Sequence, residues 1–275
     1  MSAGTLYVVA TPLGNLEDVT LRALRVLRSV PLIACEDTRR TVKLLNRYGI
    51  RTPMTVLHDH NKARAGAVLL RRLRDGESVA LVSDAGTPGI SDPGYELVRD
   101  AAAGGVPVEV VPGPSALVAA LVVSGLPTDR FAFEGFLPSR PARRRTALTA
   151  LAEESRTMIF YEAPQRIAGF LADAVEAFGG RRGCIVRELT KVHEEVLRGT
   201  LPELLAEISG RERVPGEITV VVGGAPERAE RPVEEIVRAA LVEAPGSSRD
   251  LAKEIAGRTG ISRKAAYEEI LRQRK

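Results

Sequence analysis

Along the first 124 residues, short unbroken apolar runs alternate with stretches whose apolar positions recur every three or four residues. The runs are Leu6–Ala10, Pro31–Cys35, Thr55–Leu57, Val79–Val82 and Val106–Val111. Each is too short for a helix and too continuous for a strand with one wet face, so each predicts a buried strand. The intervening helical patterns cover 21–27, 41–48, 63–74, a stretch beginning at Tyr95, and the small-residue segment 115–124. Strand-then-helix alternation at this spacing predicts a largely parallel sheet with ligands at the carboxyl ends of its strands.

The pattern restarts after Ser124-Gly125-Leu126-Pro127, a plausible domain boundary. Strands are predicted at 130–136, 157–161, 184–186 and 218–222, with helices at 143–154 and 165–178. This second α/β unit is expected to hold more antiparallel pairing than the first. From Ala225 the character changes again: Pro226–Pro232 reads as a charged linker, and 233–243, 248–258 and 262–274 read as helices. Ser247 three residues before Asp250 resembles a capping box, and the turn Thr259-Gly260-Ile261 gives a helix-turn-helix-like spacing. The fold class is thus α/β, with domains 1–124 and 125–225 and a linker plus helical extension over 226–275. That extension either docks nucleic acid or caps the body.

Three turns interrupt this pattern in one particular way. Thr11–Asn15, Asp84–Gly94 and Pro112–Ala116 each follow a strand, and each is rich in Gly and Pro and poor in side-chain bulk. The longest, Asp84–Gly94, exceeds the two to six residues or so that a plain strand-to-helix connection needs. Glycine admits positive φ and close backbone approach, while proline stiffens the loop. Three such turns on one sheet can converge on a small molecule gripped by N–H and C=O groups. Few charged side chains stand there, which speaks against a triphosphate and for a nucleoside with a polar amino-acid tail.

Composition narrows the classes further. At 44% hydrophobic residues, the 275-residue chain can bury a core. No apolar run approaches the roughly 18 residues of a membrane span, and Met1–Thr5 lacks the basic start of a signal peptide. A cytoplasmic protein is expected. Cys35 and Cys184 sit in strand-like contexts and read as buried thiols. The net charge of +4 is consistent with an anionic partner such as RNA, and Arg140, Arg143, Arg144 and Arg145 form a local cluster.

Familiar catalytic signatures are missing: no G-x-G-x-x-G follows the first strand, and no P-loop, H-E-x-x-H, paired C-x-x-C or G-x-S-x-G is present. On an extended strand, His58 and His60 would face opposite ways, so a metal site there is not expected. Glu36 and Asp37 stand where a strand meets a helix. Either one deprotonates a substrate hydroxyl, or they cap the helix and pair with Arg39 and Arg40. Tyr161 offers an aromatic face to a cationic ligand group or is a core tyrosine. Ser115 precedes unpaired helix N–H groups that suit a carboxylate, or serves as a plain N-cap.

Six blocks occur in order: Thr11–Asp18, Cys35–Arg40, Val82–Gly94, Pro112–Ala116, Tyr161–Ile167 and Arg187–Lys191. Together they resemble the tetrapyrrole methylase superfamily, in its branch of small-subunit ribosomal RNA methyltransferases. The resemblance spans residues 6 to about 224, and the helical tail resembles that branch's extension. It implies two α/β domains enclosing S-adenosylmethionine, a homodimer, and 2′-O-methylation of a cytidine in 16S ribosomal RNA. Cofactor contacts are then expected from Pro12, Leu13, Gly14, Asp84, Ala85, Gly86, Thr87, Ile90, Ser115, Ala116, Tyr161 and Thr190. RNA contacts are expected from Arg39, Arg40, Arg140, Arg143, Arg144 and Arg145. Many tetrapyrrole enzymes carry G-D-P where this chain has Gly86-Thr87-Pro88, and a glycine-rich first turn where it has Pro12-Leu13-Gly14. Both departures favour the RNA branch over a uroporphyrinogen or precorrin methyltransferase, the alternative enzyme. A non-catalytic RNA-binding module is the alternative of another class; cofactor affinity would separate it from the enzymes.

Overall fold

The computed structural model describes residues 3–226, 233–243, 247–259 and 261–274. In the first half, strands β1 (Leu6–Val9), β2 (Leu32–Cys35), β3 (Met54–Val56), β4 (Val79–Val82) and β5 (Val108–Val111) form one sheet of order β3-β2-β4-β1-β5. All four pairings are parallel, as the unbroken apolar runs predict. Helices α1 (Leu21–Ser29), α2 (Thr38–Arg47), α3 (Lys62–Arg74), α4 (Gly94–Ala103) and α5 (Ala116–Ser124) connect or follow these strands. Two apolar clusters fill the layers on either side of the sheet: one joins α1 and α2 to Val9, Ile33 and Val82, the other joins α3 and α4 to Leu6, Ala34 and Leu81.

The second sheet comprises β6 (Phe131–Phe136), β7 (Thr157–Glu162), β8 (Arg182–Arg187), β9 (Glu195–Thr200) and β10 (Ile218–Val222), ordered β6-β7-β10-β8-β9. Only β6–β7 is parallel; the other three pairings are antiparallel, the mixture expected. One face packs on α6 (Pro141–Ala150), α7 (Ile167–Phe178) and α8 (Leu201–Ser209) through Leu148, Phe160, Phe170 and Leu204. The other face receives Leu117, Ala120 and Leu121 of α5 against Ile159, Cys184 and Val221. α5 therefore belongs by sequence to the first half and by packing to the second sheet. α5 is apolar from Ala116 to Val123, and of its two sides one packs on the second sheet while Val118 and Val122 stay exposed.

Two elements lie outside the sequence expectation, β9 and α8. Strand β9 reads Glu-Val-Leu-Arg-Gly-Thr and packs at the sheet edge, where its polar residues stay wet. Helix α8 opens with a full capping box between Thr200 and Glu203. The helix expected at 143–154 instead starts at Pro141 and ends at Ala150, since proline at the first helical position costs no hydrogen bond.

The chain divides into two compact units, 1–225 and 226–275. The second holds α9 (Val233–Glu243), α10 (Ser248–Thr259) and α11 (Arg263–Gln273) around Val237, Leu251, Ile255 and Ile270. Ser247 and Asp250 do bond one another at the start of α10. Residues 227–232 of the expected linker and Gly260 of the expected turn lie outside the described residues.

Candidate active site

The three glycine- and proline-rich turns meet. Thr11 and Gly86 exchange backbone hydrogen bonds of 2.9 and 3.0 Å, an isolated antiparallel bridge that joins the first turn to the second. Thr87 donates its hydroxyl to the Pro114 carbonyl at 3.1 Å, joining the second turn to the third. Gly86 adopts φ +80°, and a Cβ there would stand 3.2 Å from Leu13 Cδ2 and 3.6 Å from the Pro114 oxygen. The position thus requires glycine for its conformation and for its neighbours together. Within the long loop, Asp92 Oδ1 accepts the amides of Gly89 and Gly94 at 2.8 Å each. One of that loop's two aspartates is therefore an internal brace.

Thr87 also explains the departure from G-D-P. A carboxylate accepts hydrogen bonds but donates none, so an ionised acid at 87 could not tie this loop to Pro114. The threonine closes the cradle where an acid would project into it.

A fourth segment from the second half reaches the same place. The amide of Asn15 donates to the Thr190 hydroxyl at 3.1 Å, and the aliphatic stem of Lys191 lies over Gly14, filling the space of the missing Cβ. Glu188 and Thr190 hold φ of +51° and +64°, rare for residues with side chains. Lys191 in turn pairs with Glu188 at 2.8 Å and Glu217 at 3.3 Å, and Arg40 reaches Asp84 at 3.4 Å and Glu217 at 3.4 Å. Lys191, Glu188 and Glu217 were not anticipated from sequence. The block Arg187–Lys191 marked the segment, but nothing in a linear pattern reveals which loop it will touch.

Of the expected cofactor residues, Pro12, Leu13, Gly14, Ala85, Gly86, Thr87, Ser115, Ala116 and Thr190 fall in these four segments, with Asp84 and Ile90 on the same long loop. Ile90 is exposed, as is part of Asp84. Ser115 occupies the N-cap position of α5, yet its side chain makes no capping bond. Tyr161 stands near the end of β7, half-buried, packed in the apolar cluster that includes Leu117 of α5.

The two candidate bases separate clearly. Asp37 caps α2, accepting the Arg39 amide at 2.8 Å, and pairs with the Arg39 guanidinium at 2.6 Å. Those hydrogen bonds hold its carboxyl down to about 2, and of the two expectations for Asp37 the cap paired with Arg39 is the arrangement the structure shows. Glu36 lines a recess with Leu57, Leu81, Ser83, Asp92 and Gly94. Burial, followed by the negative charges of Asp84, Asp92 and Asp59, pushes its pKa up.

The arginine cluster also divides. Arg140 and Arg143 are exposed, whereas Arg144 is 5% exposed and donates Nε to Asp173 at 2.7 Å. Arg145 approaches the other oxygen of Asp173 at 3.5 Å. Unlike Arg140 and Arg143, Arg144 does not face solvent where a phosphate could reach it: its helix turns it inward, and Gly169 leaves the room it occupies. Arg39 remains 87% exposed at its side chain despite pairing with Asp37. His58 and His60 lie in the turn after β3, not on a strand, with ring centroids 5.8 Å apart. Among the described residues no group of three His, Cys, Asp or Glu could hold a metal.

The profile of the tetrapyrrole (corrin/porphyrin) methylases matches residues 5–205. A ribosomal RNA small subunit methyltransferase I from Pseudomonas aeruginosa is 50% identical over 283 residues, covering 99% of both chains. A protein of the same name from Thermotoga maritima is 48% identical over 221 residues, covering 80% of this chain and 99% of its own. Among solved structures, uroporphyrin-III C-methyl transferase from Thermus thermophilus, complexed with S-adenyl homocysteine, superposes with a TM-score of 0.57 at 24% identity, covering 79% of this chain and 97% of that one. At that identity the likeness is one of fold. With the cradle of turns in place and near-full-length relatives at half identity, the chain belongs to the tetrapyrrole methylase family, and within it to the ribosomal RNA small subunit methyltransferase I group.

Proposed function

We propose that this methyltransferase transfers the methyl group of S-adenosylmethionine to the 2′-oxygen of a cytidine in 16S ribosomal RNA. One observation carries the reading: turns 11–15, 84–94 and 112–116 are knitted around Gly86 in a chain half identical, over its full length, to ribosomal RNA small subunit methyltransferase I proteins. The residues present suit the cofactor. Gly86, at φ +80° and with Leu13 and Pro114 close by, lets the three turns approach one another through backbone alone. The α5 N-terminus, uncapped by Ser115, suits the cofactor's carboxylate. Pro12, Leu13, Gly14, Asp84, Ala85, Gly86, Thr87, Ile90, Ser115, Ala116, Tyr161 and Thr190 would form the pocket.

Bound there, S-adenosylmethionine supplies an electrophilic methyl group. The chain's own contribution is to orient the ribose and to take its proton. Glu36, kept basic by burial and by neighbouring carboxylates, accepts the hydroxyl proton. Orientation within a fixed cradle supplies much of the remaining acceleration. Arg39, Arg40, Arg140, Arg143 and Arg145 would meet RNA phosphates.

Domains 1–124 and 125–225 would act as the two catalytic halves, with 226–275 as an accessory unit for RNA or the ribosomal surface. The enzyme would work as a homodimer; Val118 and Val122, exposed one turn apart on α5, are residues a second copy would cover. A cytoplasmic location follows from the ribosomal substrate, and among the described residues no helix is long and apolar enough to cross a membrane.

The test is incubation of the full chain with methyl-labelled S-adenosylmethionine and 30S subunits lacking the modification. Label should appear at one nucleotide of 16S RNA, and alkaline hydrolysis should leave that linkage uncut, because a 2′-O-methyl blocks cleavage. Label on a base, or none on RNA, overturns the proposal.

A further inference from the structure

Strand β6 contains an irregularity that has no role in the core. Pairing with β7 runs Phe133 to Ile159, then Gly135 to Phe160 and Phe136 to Tyr161, so one extra residue is inserted between Phe133 and Gly135. Gly135 holds φ +63° to accommodate it. Without that insertion, Phe133 and Phe136 would point to opposite faces of the sheet, because the side-chain period of a strand is two. With it, both stand on the face of Tyr161. Phe133 meets the Tyr161 ring edge-on at 4.9 Å, and Phe136 lies tilted against it at 5.6 Å.

The bulge thus aims a phenylalanine out of the core. Phe136 is 55% exposed, although the residue after it, Leu137, is buried. Bulges of this kind commonly re-aim a side chain beside a functional site. The ring is also held firmly. Leu137 packs in the core, and its carbonyl accepts Arg166 Nη2 at 2.7 Å. Beneath the ring, Tyr161 packs into the apolar cluster that holds Leu117, in the first turn of α5 beside Ser115 and Ala116. On the other side, a Cβ at Gly135 would stand 3.5 Å from Ser91 Oγ of the 84–94 loop. Phe136 therefore sits at the rim of the cofactor cradle, one aromatic ring from α5. Arg140 and Arg143, both exposed, follow within two helical turns of chain.

An exposed ring held from beneath, beside exposed cations, is the equipment of single-stranded nucleic-acid binding: the cations track the backbone and the ring stacks a base. We propose that Phe136 is the stacking platform for the base of the nucleotide whose ribose is methylated, so that the enzyme selects an unpaired, splayed-out nucleotide. This deepens the function proposed above and rests on it. A ribose oxygen can be presented without stacking, but the flexible backbone of an unstacked nucleotide can also turn it away. Pinning the base fixes the sugar relative to the turns at 84–90 and 112–116.

The test compares wild type with Phe136→Ala, Phe136→Leu and Phe136→Tyr. The substrates are 30S subunits and a short RNA spanning the labelled nucleotide, made with and without its base at that position. Stacking on an aromatic side chain is worth roughly five- to 150-fold per base. Wild type should bind the abasic RNA weaker by a factor in that range. Phe136→Ala should bind the complete RNA as weakly as wild type binds the abasic one, and should lose nothing more when the base is removed. Phe136→Tyr should restore binding and Phe136→Leu should not, which separates stacking from packing. Cofactor affinity should be unchanged in all three. The platform is refuted if Phe136→Ala discriminates the abasic RNA as wild type does, or if its only defect is loss of the dimer on size-exclusion chromatography. If wild type labels 16S RNA and the variants behave alike, this inference alone fails. If wild type labels no RNA, the proposed function fails and the platform with it.

Discussion

The two halves of the 1–225 unit are held together in different ways. In the first, the functional turns are joined by backbone and hydroxyl contacts: Thr11 to Gly86, Thr87 to Pro114, Asp92 to Gly89 and Gly94. In the second, the supporting contacts are charged: Arg144 with Asp173, Arg166 with Glu162, and Glu195 with Arg187 and Arg211. Glu162 is wholly buried at its side chain, so its pair with Arg166 is no surface ornament. The difference matches what each half would present. A cradle built from backbone has few charges with which to repel or trap a zwitterionic nucleoside. A half that braces itself with arginines turned inward can still leave Arg140 and Arg143 outward for an anionic polymer.

Glu36 breaks this pattern, and its replacement should have the largest effect. It is a partly buried carboxylate beside the turns of the first half, surrounded mainly by other carboxylates. Glu36→Gln should lower kcat on 30S subunits by about 10²- to 10⁴-fold, the usual contribution of a general base, with cofactor affinity retained. A raised folded-state pKa means that the folded chain holds the proton more tightly than the unfolded chain. Glu36 therefore costs stability as pH rises through that value, and the Gln variant should be at least as heat-stable as wild type at pH 7. The wild-type rate should climb with pH over the same interval as Glu36 ionises, and the variant should lack that limb. A variant that is slow and also unstable would reassign Glu36 to structure.

Next in size is the charged brace itself. Asp173→Ala strands the buried guanidinium of Arg144 and should destabilise the chain by about 3–5 kcal/mol in denaturant unfolding. Replacing the pair together, Arg144→Met with Asp173→Leu, should recover most of that loss, since an apolar pair of similar volume carries no desolvation cost. If the double variant is as unstable as the single, the pair does more than neutralise itself. On the backbone side, Gly86→Val should weaken cofactor binding by more than about tenfold in calorimetry. A β-branched residue is strained at φ +80°, and its Cβ approaches Leu13 and Pro114. RNA affinity should be unaffected.

The same contrast explains what could be read from sequence. The parallel sheet was legible because its central strands β2, β4 and β1 are buried on both faces and appear as unbroken apolar runs. The turns were legible because glycine and proline mark them. Strand β9 was not, because an edge strand needs only one dry face, and Glu195 and Arg198 look like loop. Glu36 and Asp37 are neighbours of the same charge type, and nothing local says that one will cap a helix while the other is buried. Arg144 is indistinguishable in sequence from Arg143 and Arg145; only the position of α7, which brings Asp173 and Gly169 to it, turns it inward. Only this last partner, Asp173, is distant in sequence; Asp37 is settled by Arg39 two residues on.

The smallest expected effect tests whether the outward arginines differ from the inward one. Arg140→Ala with Arg143→Ala should reduce RNA affinity only severalfold at moderate salt, because exposed cations are screened. The sharper readout is the slope of log affinity against log salt. Each phosphate contact on single-stranded RNA contributes about 0.7 to that slope, so losing two should flatten it by about 1.4. Cofactor affinity and unfolding midpoint should not move, since neither side chain belongs to the apolar core or to the turns around Gly86. Arg144→Met should do the reverse, lowering stability through the stranded Asp173 while leaving the salt slope intact. If both sets flatten the slope equally, Asp173 releases Arg144 when RNA binds, and the inward pair is a reserve of positive charge rather than a brace. If neither flattens it, the phosphates are met elsewhere, with Arg39 and Arg40 at the start of α2 the next pair to replace.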